Sequence, residues 1–302
     1  MPSLEHLLEA GFEVPLVVTR PDRPLGRHAA PRPSPVARWA TARRLPTEKP
    51  ETLRGNASLQ RRLGELSPDA VAIVAYGRML PREILLLPRL GCVNVHASLL
   101  PRWRGASPIQ AALLAGDRET GVVTMRMEEK LDAGPLYLER RFEIEEREDA
   151  GALSRRLARE GAELLVETLR GLAAGRLVPR PQVGEPSFCR PLAREDGQVD
   201  WSHPAEEIER RLRAFTPWPG LHTFLEGKRI KIVEAQTGPP VTREPGTLWA
   251  EGNRALVAAG GGTSLVLARV QRAGGKELSG VDFLRGLPAL PARFGADSSG
   301  AP

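Results

Sequence analysis

Apolar and polar residues follow two different periods along the first 174 residues. Continuous β-branched runs bounded by turn residues predict buried strands, whereas apolar residues three or four positions apart predict helices. The strands are predicted at residues 14–19, 70–76, 91–96, 121–127 and 135–144. The helices are predicted at residues 2–10, 34–44, 58–66, 107–116 and 150–174. Strands that alternate with helices in this way favour an α/β domain with a mostly parallel, doubly wound sheet.

The remainder of the chain has a different pattern. Residues 175–203 are rich in Pro, Gly and charged residues and show no periodicity, which predicts a linker. A short helix is predicted after it, followed by several short strand-like runs separated by Gly- and Pro-containing turns, which suggests a small β-barrel. We therefore predict a catalytic domain at 1–174, a barrel domain at 204–294 and a disordered tail at 295–302.

Composition excludes several classes of protein. Hydrophobic residues make up 41% of the 302 residues and charged residues 26%, which argues against wholesale disorder. No apolar run approaches the roughly 18–20 residues needed to cross a bilayer, and Glu5, Glu9 and Glu13 are incompatible with a secretory signal. Only two cysteines occur, Cys92 and Cys189, which excludes a disulfide framework and a cysteine zinc site. We expect a soluble, cytoplasmic protein.

The positive charge is concentrated in one segment. The chain has a net charge of +6, and residues 20–44 contain seven arginines and a single acid, Asp22. The prolines in this segment exclude a regular helix or a central strand. A basic exposed loop of this kind can contact a polyanion, although an ordinary solvated surface loop has the same composition.

Candidate catalytic residues cluster around the predicted strand at 91–96. Asn94 and His96 lie two residues apart, so their side chains leave the same face, at the strand end where open α/β sheets bind ligands. A carboxamide and an imidazole placed together can donate hydrogen bonds to one oxyanion. Asp132, in a Gly-containing turn, can orient or charge an imidazole. Taken singly, the three can also be a strand-end cap, a core histidine and a turn residue. The five histidines lack metal-ligand spacing, so we expect no metal.

Several longer motifs resemble one known family. The stretch NVHASLLPRWRGASPIQ, followed by TGVVTMRMEEKLDAGP, resembles the core of the methionyl-tRNA formyltransferases. Further landmarks occur in the order of that family: VVTRPDRPLGR, PSPV, VAYGRMLP, GQVDWS, AFTPWPG and AGGKELSGVDFL. The resemblance covers the chain from Pro2 to about Leu284. It implies a Rossmann-like formyltransferase domain with a C-terminal OB-like barrel, and transfer of a formyl group from 10-formyltetrahydrofolate to the α-amine of methionyl-initiator tRNA.

The resemblance also assigns residues to roles. It implies that the catalytic residues are Asn94, His96 and Asp132. It implies that the folate co-substrate faces the backbone of Ser98, Leu99, Leu100 and Pro101. It places a tRNA-contacting basic position at Arg27. Arg23 and Arg32 can compensate for the lysines that the family carries beyond this position. Lys228, Arg229 and Lys231 on a barrel strand can track phosphates, although a solvated strand face has the same residues. It further implies a monomer without a metal.

One element expected from the resemblance lies ahead of the first residue of this sequence. Members of the family have a first strand and a Gly-Thr-Pro-containing loop ahead of the segment that matches Pro2, so we expect either a start codon set too far downstream or an impaired protein.

Three alternative functions stay open. The first alternative is a folate-dependent formyltransferase acting on a small amine such as a nucleotide sugar. The second is a non-catalytic tRNA-binding paralogue, and the third is an α/β domain in which Asn94, His96 and Asp132 are structural.

Overall fold

The computed structural model describes residues 1–24 and 30–295, which form two compact units. The first unit comprises Met1–Pro108, Glu119–Glu143 and Ser154–Cys189, and the second comprises Ile109–Arg118, Ile144–Leu153 and the chain from Arg190 onward. The helices are α1 (Pro2–Glu9), α2 (Pro35–Ala42), α3 (Ala57–Leu66), α4 (Arg82–Leu85), α5 (Pro108–Ala115), α6 (Ala150–Ala173), α7 (Ala205–Phe215) and α8 (Gly280–Arg285). The strands are β1 (Val17–Val18), β2 (Arg23–Pro24), β3 (Pro31–Arg32), β4 (Thr47–Glu48), β5 (Val71–Val74), β6 (Cys92–His96), β7 (Arg104–Gly105), β8 (Glu119–Arg126), β9 (Leu136–Glu143), β10 (Phe188–Cys189), β11 (Leu221–Leu225), β12 (Lys228–Thr237), β13 (Thr247–Glu251), β14 (Arg254–Ala259), β15 (Thr263–Arg272), β16 (Glu277–Ser279) and β17 (Ala292–Arg293).

The first unit is built on a four-stranded sheet in the order β5-β6-β8-β9. The β5–β6 ladder is parallel, whereas the β6–β8 and β8–β9 ladders are antiparallel. The expectation of a mostly parallel sheet is therefore wrong for these four strands. The reason is that β8 and β9 are joined by a short turn, and a hairpin connection imposes antiparallel pairing.

Side chains of this sheet alternate between two hydrophobic clusters, as expected of a doubly wound α/β domain. On one face, Cys92 packs with Ile73 and with residues of α3 and α4. On the other face, Val93 packs with Leu165 and Leu169 of α6. A Cβ at Gly161 would lie 2.7 Å from a methyl carbon of Val95, so the glycine lets α6 approach β6 closely.

The local predictions match the structure unevenly. The predicted helices at 34–44 and 58–66 are α2 and α3, and the Ser34 hydroxyl accepts a hydrogen bond from the Ala37 amide as an N-cap. The predicted strand at 14–19 is reduced to the two residues of β1. The predicted strand at 70–76 is shorter, and Val74 is 43% exposed. Within the described chain, β5 pairs with β6 alone, which explains why this apolar run is not fully buried.

The second unit contains a nearly closed, barrel-like sheet. Its strand order is β11-β12-β15-β14-β13-β17, with β16 added to β15. An antiparallel bridge between Gly295 and Phe224 links the residue that follows β17 to β11. Trp201 stacks on Phe294 with ring centroids 5.4 Å apart, and both side chains are buried. The predicted α/β fold with a C-terminal barrel is therefore present.

The predicted boundaries at 174 and 204 stay a prediction. The segment between them is not devoid of structure, because it contains β10 and a 3-10 turn at Glu195–Gly197. β10 pairs in parallel with β7 in the first unit. Residues 296–302 of the predicted tail lie outside the described residues.

Candidate active site

Strand β6 places two polar side chains among apolar ones. Asn94 and His96 are 8% and 6% exposed, at the end of a strand whose intervening residues are valines. Asn94 lies opposite Met125 of β8, and His96 lies opposite Val123. Because residues two apart on a strand share a face, the carboxamide and the imidazole project from the same side of the sheet.

The hydrogen bonding of His96 distinguishes its two ring nitrogens. Nε2 lies 3.0 Å from the main-chain carbonyl oxygen of Trp103. Because a carbonyl oxygen can only accept, Nε2 carries the hydrogen and donates it. Nδ1 faces Asp132, with 3.8 Å between Nδ1 and Oδ2. Nε2 is therefore held by the main chain, and Nδ1 is the ring nitrogen that faces the carboxylate.

Asp132 is brought to His96 by the turn between β8 and β9. It has a φ of +44°, in the left-handed region that residues other than glycine rarely adopt. Its Oδ2 accepts a hydrogen bond of 2.9 Å from the main-chain amide of Gly105. The side chain is 11% exposed. The structure thus places His96 and Asp132 together and Asn94 on the same strand face as His96, while their catalytic roles stay a prediction.

The predicted folate loop presents mostly buried side chains. Ser98 is fully buried, and its hydroxyl donates a hydrogen bond of 2.6 Å to the carbonyl of Arg102. Leu100 packs against Val123, Met125 and Leu136. Pro101 is also buried, and Leu99 is half-buried. A ligand at this loop would therefore meet main-chain atoms rather than the Ser98 hydroxyl, and the assignment of Ser98, Leu99, Leu100 and Pro101 to folate stays a prediction.

The predicted tRNA-contacting residues are distributed over both units. In the first unit, Arg23 of β2 lies directly opposite Arg32 of β3, and both are exposed. Like charges placed opposite each other on two strands are destabilising, which a polyanion would relieve. Arg27 lies outside the described residues.

In the second unit, the basic residues of β12 divide between two faces. Lys228 and Lys231 are both exposed, but they are three positions apart, so they leave opposite faces of the strand. The residue that shares a face with Lys231 is Arg229. Lys228 instead shares the face of Ile230, which is buried. Arg229 and Lys231 therefore share a face, whereas the binding of phosphates by Lys228 and Lys231 stays a prediction.

Sequence reasoning missed the contacts that surround Asp132. Gln182, Ser187 and Cys189 all hydrogen-bond the loop at Trp103–Ala106 or the Asp132 turn. The hydrophobic pattern of the sequence does not predict these contacts, because β7 and β10 are only two residues long. Burial, reinforced by the negative charge of Asp132, raises the pKa of the Cys189 thiol. This cysteine is therefore protonated at neutral pH, which does not suit a nucleophile.

Clustered metal ligands and long apolar helices are both lacking in the described residues. Across residues 1–24 and 30–295, no group of three or more His, Cys, Asp or Glu side chains could hold a metal ion. Over the same ranges, no helix is long and apolar enough to span a membrane.

Family models and known proteins match the chain along most of its length. A model described as formyl transferase matches residues 4–169, and one described as formyl transferase, C-terminal domain, matches residues 191–288. A protein named methionyl-tRNA formyltransferase from Anaeromyxobacter dehalogenans (strain 2CP-1 / ATCC BAA-258) is 45% identical over 298 residues, which covers 97% of this chain and 95% of that protein. A protein of the same name from Koribacter versatilis (strain Ellin345) is 45% identical over 287 residues, covering 95% and 92%.

Solved structures share the fold at low sequence identity. WlaRD, described as a sugar 3N-formyl transferase, has a TM-score of 0.64 at 14% identity and covers 91% of this chain and 94% of its own. HypX from Aquifex aeolicus, solved with tetrahydrofolic acid, has a TM-score of 0.59 at 20% identity, covering 85% of this chain and 47% of HypX. These two likenesses show the fold alone.

Proposed function

The chain belongs to the methionyl-tRNA formyltransferase family, and we propose on that basis that it transfers the formyl group of 10-formyltetrahydrofolate to the α-amino group of methionyl-tRNA. The observation that carries the proposal is 45% identity to proteins of that name over 97% of the chain. The product is N-formylmethionyl-tRNA, with which translation begins. We extend the proposal to the initiator tRNA as substrate and to a monomer that acts in the cytoplasm.

The candidate site meets the chemical demands of this transfer. 10-Formyltetrahydrofolate supplies the formyl carbon, and the attacking amine must be neutral. Asn94 donates a hydrogen bond to the negative charge that develops on the formyl oxygen, and one such donor is typically worth 10²–10³ in rate. His96 receives the proton of the amine at Nδ1, while the Trp103 carbonyl fixes the ring through Nε2.

Asp132 stabilises the charge that His96 gains. Its carboxylate faces Nδ1, and the Gly105 amide holds it in that position. A negative carboxylate beside a developing positive charge lowers the energy of the transition state. His96 can therefore take up a proton from the amine and return it to the departing nitrogen, with no covalent intermediate on the enzyme.

Exposed arginines and lysines supply the contact with the tRNA backbone. Arg23, Arg32 and Lys231 are exposed, and Arg229, which shares the strand face of Lys231, is half-buried. Phosphate contacts of this kind fix the position of a nucleic acid and weaken as salt is added. Arg27 belongs to the same proposal through the motif that it occupies.

The experiment is a formylation assay on purified protein. The enzyme is incubated with 10-formyltetrahydrofolate and methionyl-initiator tRNA, and formylmethionine is quantified after hydrolysis of the ester. We expect turnover by the wild type, and we expect His96→Ala and Asp132→Asn to lower kcat by at least 10²-fold while tRNA binding is retained. His203→Ala is the matched control, because this half-exposed histidine belongs to the second unit.

The outcome also separates the proposal from its alternatives. A parallel reaction contains a nucleotide amino sugar in place of the charged tRNA. Formylation of the sugar without formylation of the tRNA would replace the proposed substrate by a small amine. Binding of tRNA without any formyl transfer would assign the chain to tRNA binding alone. A fully active His96→Ala variant would overturn the assignment of the site.

A further inference from the structure

A ten-residue segment that sequence reasoning treats as linker is hydrogen-bonded to the candidate active site. We define residues 180–189 as the arm. At its start, Arg180 and Leu136 exchange two main-chain hydrogen bonds of 2.8 Å each. At its end, the carbonyls of Ser187 and Cys189 accept hydrogen bonds from the amides of Arg104 and Ala106, at 2.8 and 3.1 Å. The arm is therefore fixed at both ends to the elements that flank Asp132.

Gln182 lies between these two attachments and uses its whole carboxamide. Nε2 donates hydrogen bonds of 2.8 Å to the main-chain carbonyls of Asp132 and Gly134. Oε1 accepts from the Arg104 guanidinium, at 2.6 Å from Nη2 and 3.2 Å from Nε. A carboxamide has two N–H donors and two lone pairs on its oxygen, so both donors and both lone pairs are in use.

The chemistry of the partners fixes which way this carboxamide points. Both groups on one side are carbonyl oxygens, which only accept, and the group on the other side is a guanidinium, which only donates. A rotated amide would set N–H against N–H and oxygen against oxygen. Gln182 therefore joins two loops in one defined arrangement.

These two loops meet in the hydrogen bond that orients Asp132. Gln182 binds the main chain of Asp132 on one side and the side chain of Arg104 on the other. The residue after Arg104 is Gly105, whose amide donates to Asp132 Oδ2 at 2.9 Å. The same carboxylate lies 3.8 Å from His96 Nδ1. Displacement of either loop would therefore disturb the hydrogen bond that holds the Asp132 carboxylate beside His96.

We propose that Gln182 is a positioning residue for formyl transfer, which holds the carboxylate of Asp132 against His96 without touching a substrate. The inference rests on the proposed function, because Asp132 has a catalytic role only in that reaction. Misplacement of a reacting group by about 1 Å can cost about 10² in rate. Replacement of Gln182 should therefore lower kcat and leave the KM values for folate and tRNA little changed.

The test uses two substitutions of Gln182 and one control. Gln182→Leu removes all the hydrogen bonds of the carboxamide at similar volume. Gln182→Glu keeps an oxygen toward Arg104 but removes both donors to the turn. Val183→Ala is the matched control, because its side chain is 88% exposed on the same arm. We expect both Gln182 variants to lose about 10- to 100-fold in kcat, with KM values within about twofold of the wild type, and the control to be fully active.

A double variant distinguishes positioning from a general structural role. If Gln182 acts through the carboxylate, Gln182→Leu should cost less than about twofold when Asp132 is already Asn, because that variant has no carboxylate to place. If Gln182→Leu lowers kcat by its full factor in the Asp132→Asn background, Gln182 acts by another route and the proposal is overturned.

A second measurement does not depend on activity. Hydrogen exchange of the Gly105 amide reports its bond to Asp132, with the amides of β6 as the internal reference. We expect faster exchange at Gly105 alone in both Gln182 variants. Unchanged protection together with unchanged kcat would overturn the positioning role while leaving the proposed function intact. An inactive wild type would overturn the proposed function, and the exchange would still test Gln182. Loss of fold in both variants would assign Gln182 to stability and also overturn the proposal.

Discussion

Replacement of Gly105 by alanine tests whether the pairing of β7 with β10 supports the candidate active site. Gly105 has a φ of +118°, a conformation that is strained for any residue with a side chain. A Cβ at this position would also overlap the main-chain oxygen of Cys189. The clash is with backbone, so it can be relieved only by moving β7 away from β10.

The size of the effect can be worked out from the bonds involved. The unfavourable backbone conformation costs of the order of 1–3 kcal/mol. Separation of the strands also weakens two main-chain hydrogen bonds, Arg104 to Ser187 and Ala106 to Cys189, at roughly 0.5–1.5 kcal/mol each. We therefore expect Gly105→Ala to lower the free energy of unfolding by about 4 kcal/mol.

The same movement should lower the rate. The Gly105 amide donates to the Asp132 carboxylate, and a hydrogen bond to a charged group contributes about 1.5–3 kcal/mol. Loss of about 2 kcal/mol from the transition state corresponds to a roughly 30-fold lower kcat. Urea unfolding measures the first effect, and the formylation assay, run where the variant is folded, measures the second.

Gly55→Ala is the matched control for the backbone contribution. Gly55 also has a positive φ, +69°, but no atom lies within 4 Å of the position that its Cβ would take. We expect this variant to lose roughly 1–2 kcal/mol of stability. Its kcat should equal that of the wild type. If the two variants are equally destabilised and both keep the wild-type kcat, the β7–β10 pairing does not hold Asp132 in place.

Three further predictions concern the second unit. Burial, with the positive charge of Arg229 as a further cause, lowers the pKa of His222. The unfolded chain therefore binds a proton at higher pH than the folded one, and the free energy of unfolding should fall as pH drops below about 6.5. Urea unfolding of His222→Gln at several pH values should show a shallower fall, and a pH profile identical to that of the wild type would contradict burial of His222 as the cause. Trp201→Ala should lower the free energy of unfolding by about 3–5 kcal/mol, because it empties a buried aromatic site. Denaturant titration checks this, and a loss below about 1 kcal/mol would show that the site collapses or is hydrated. Arg229→Ala and Lys231→Ala should each reduce the slope of log Kd for tRNA against log salt by about one, with a smaller change for Lys228→Ala on the opposite face. Equal slopes for all three variants would remove the distinction between the faces.

The sequence by itself determined the α/β class, the barrel that follows, and the residues of the candidate site. Asn94 and His96 could be placed on one strand face because alternation along a strand is a property of neighbouring residues. The turn at Asp132 was predictable for the same reason, since its Gly-containing sequence is local. The motif order then led to the family, which the comparisons establish over nearly the whole chain.

Only the tertiary structure decided how Asp132 is held and which nitrogen of His96 faces it. Gln182 is 50 residues from Asp132, and Gly105 is 27 residues from it. These contacts join side chains to main-chain groups that every residue possesses, so they cannot be predicted from the pattern of residue types. The exposure of Val74 was equally hidden, because a strand's burial depends on how many neighbours its sheet gives it. Local periodicity depends on adjacent residues, whereas the partners of a buried carboxylate depend on which distant loops the fold brings together.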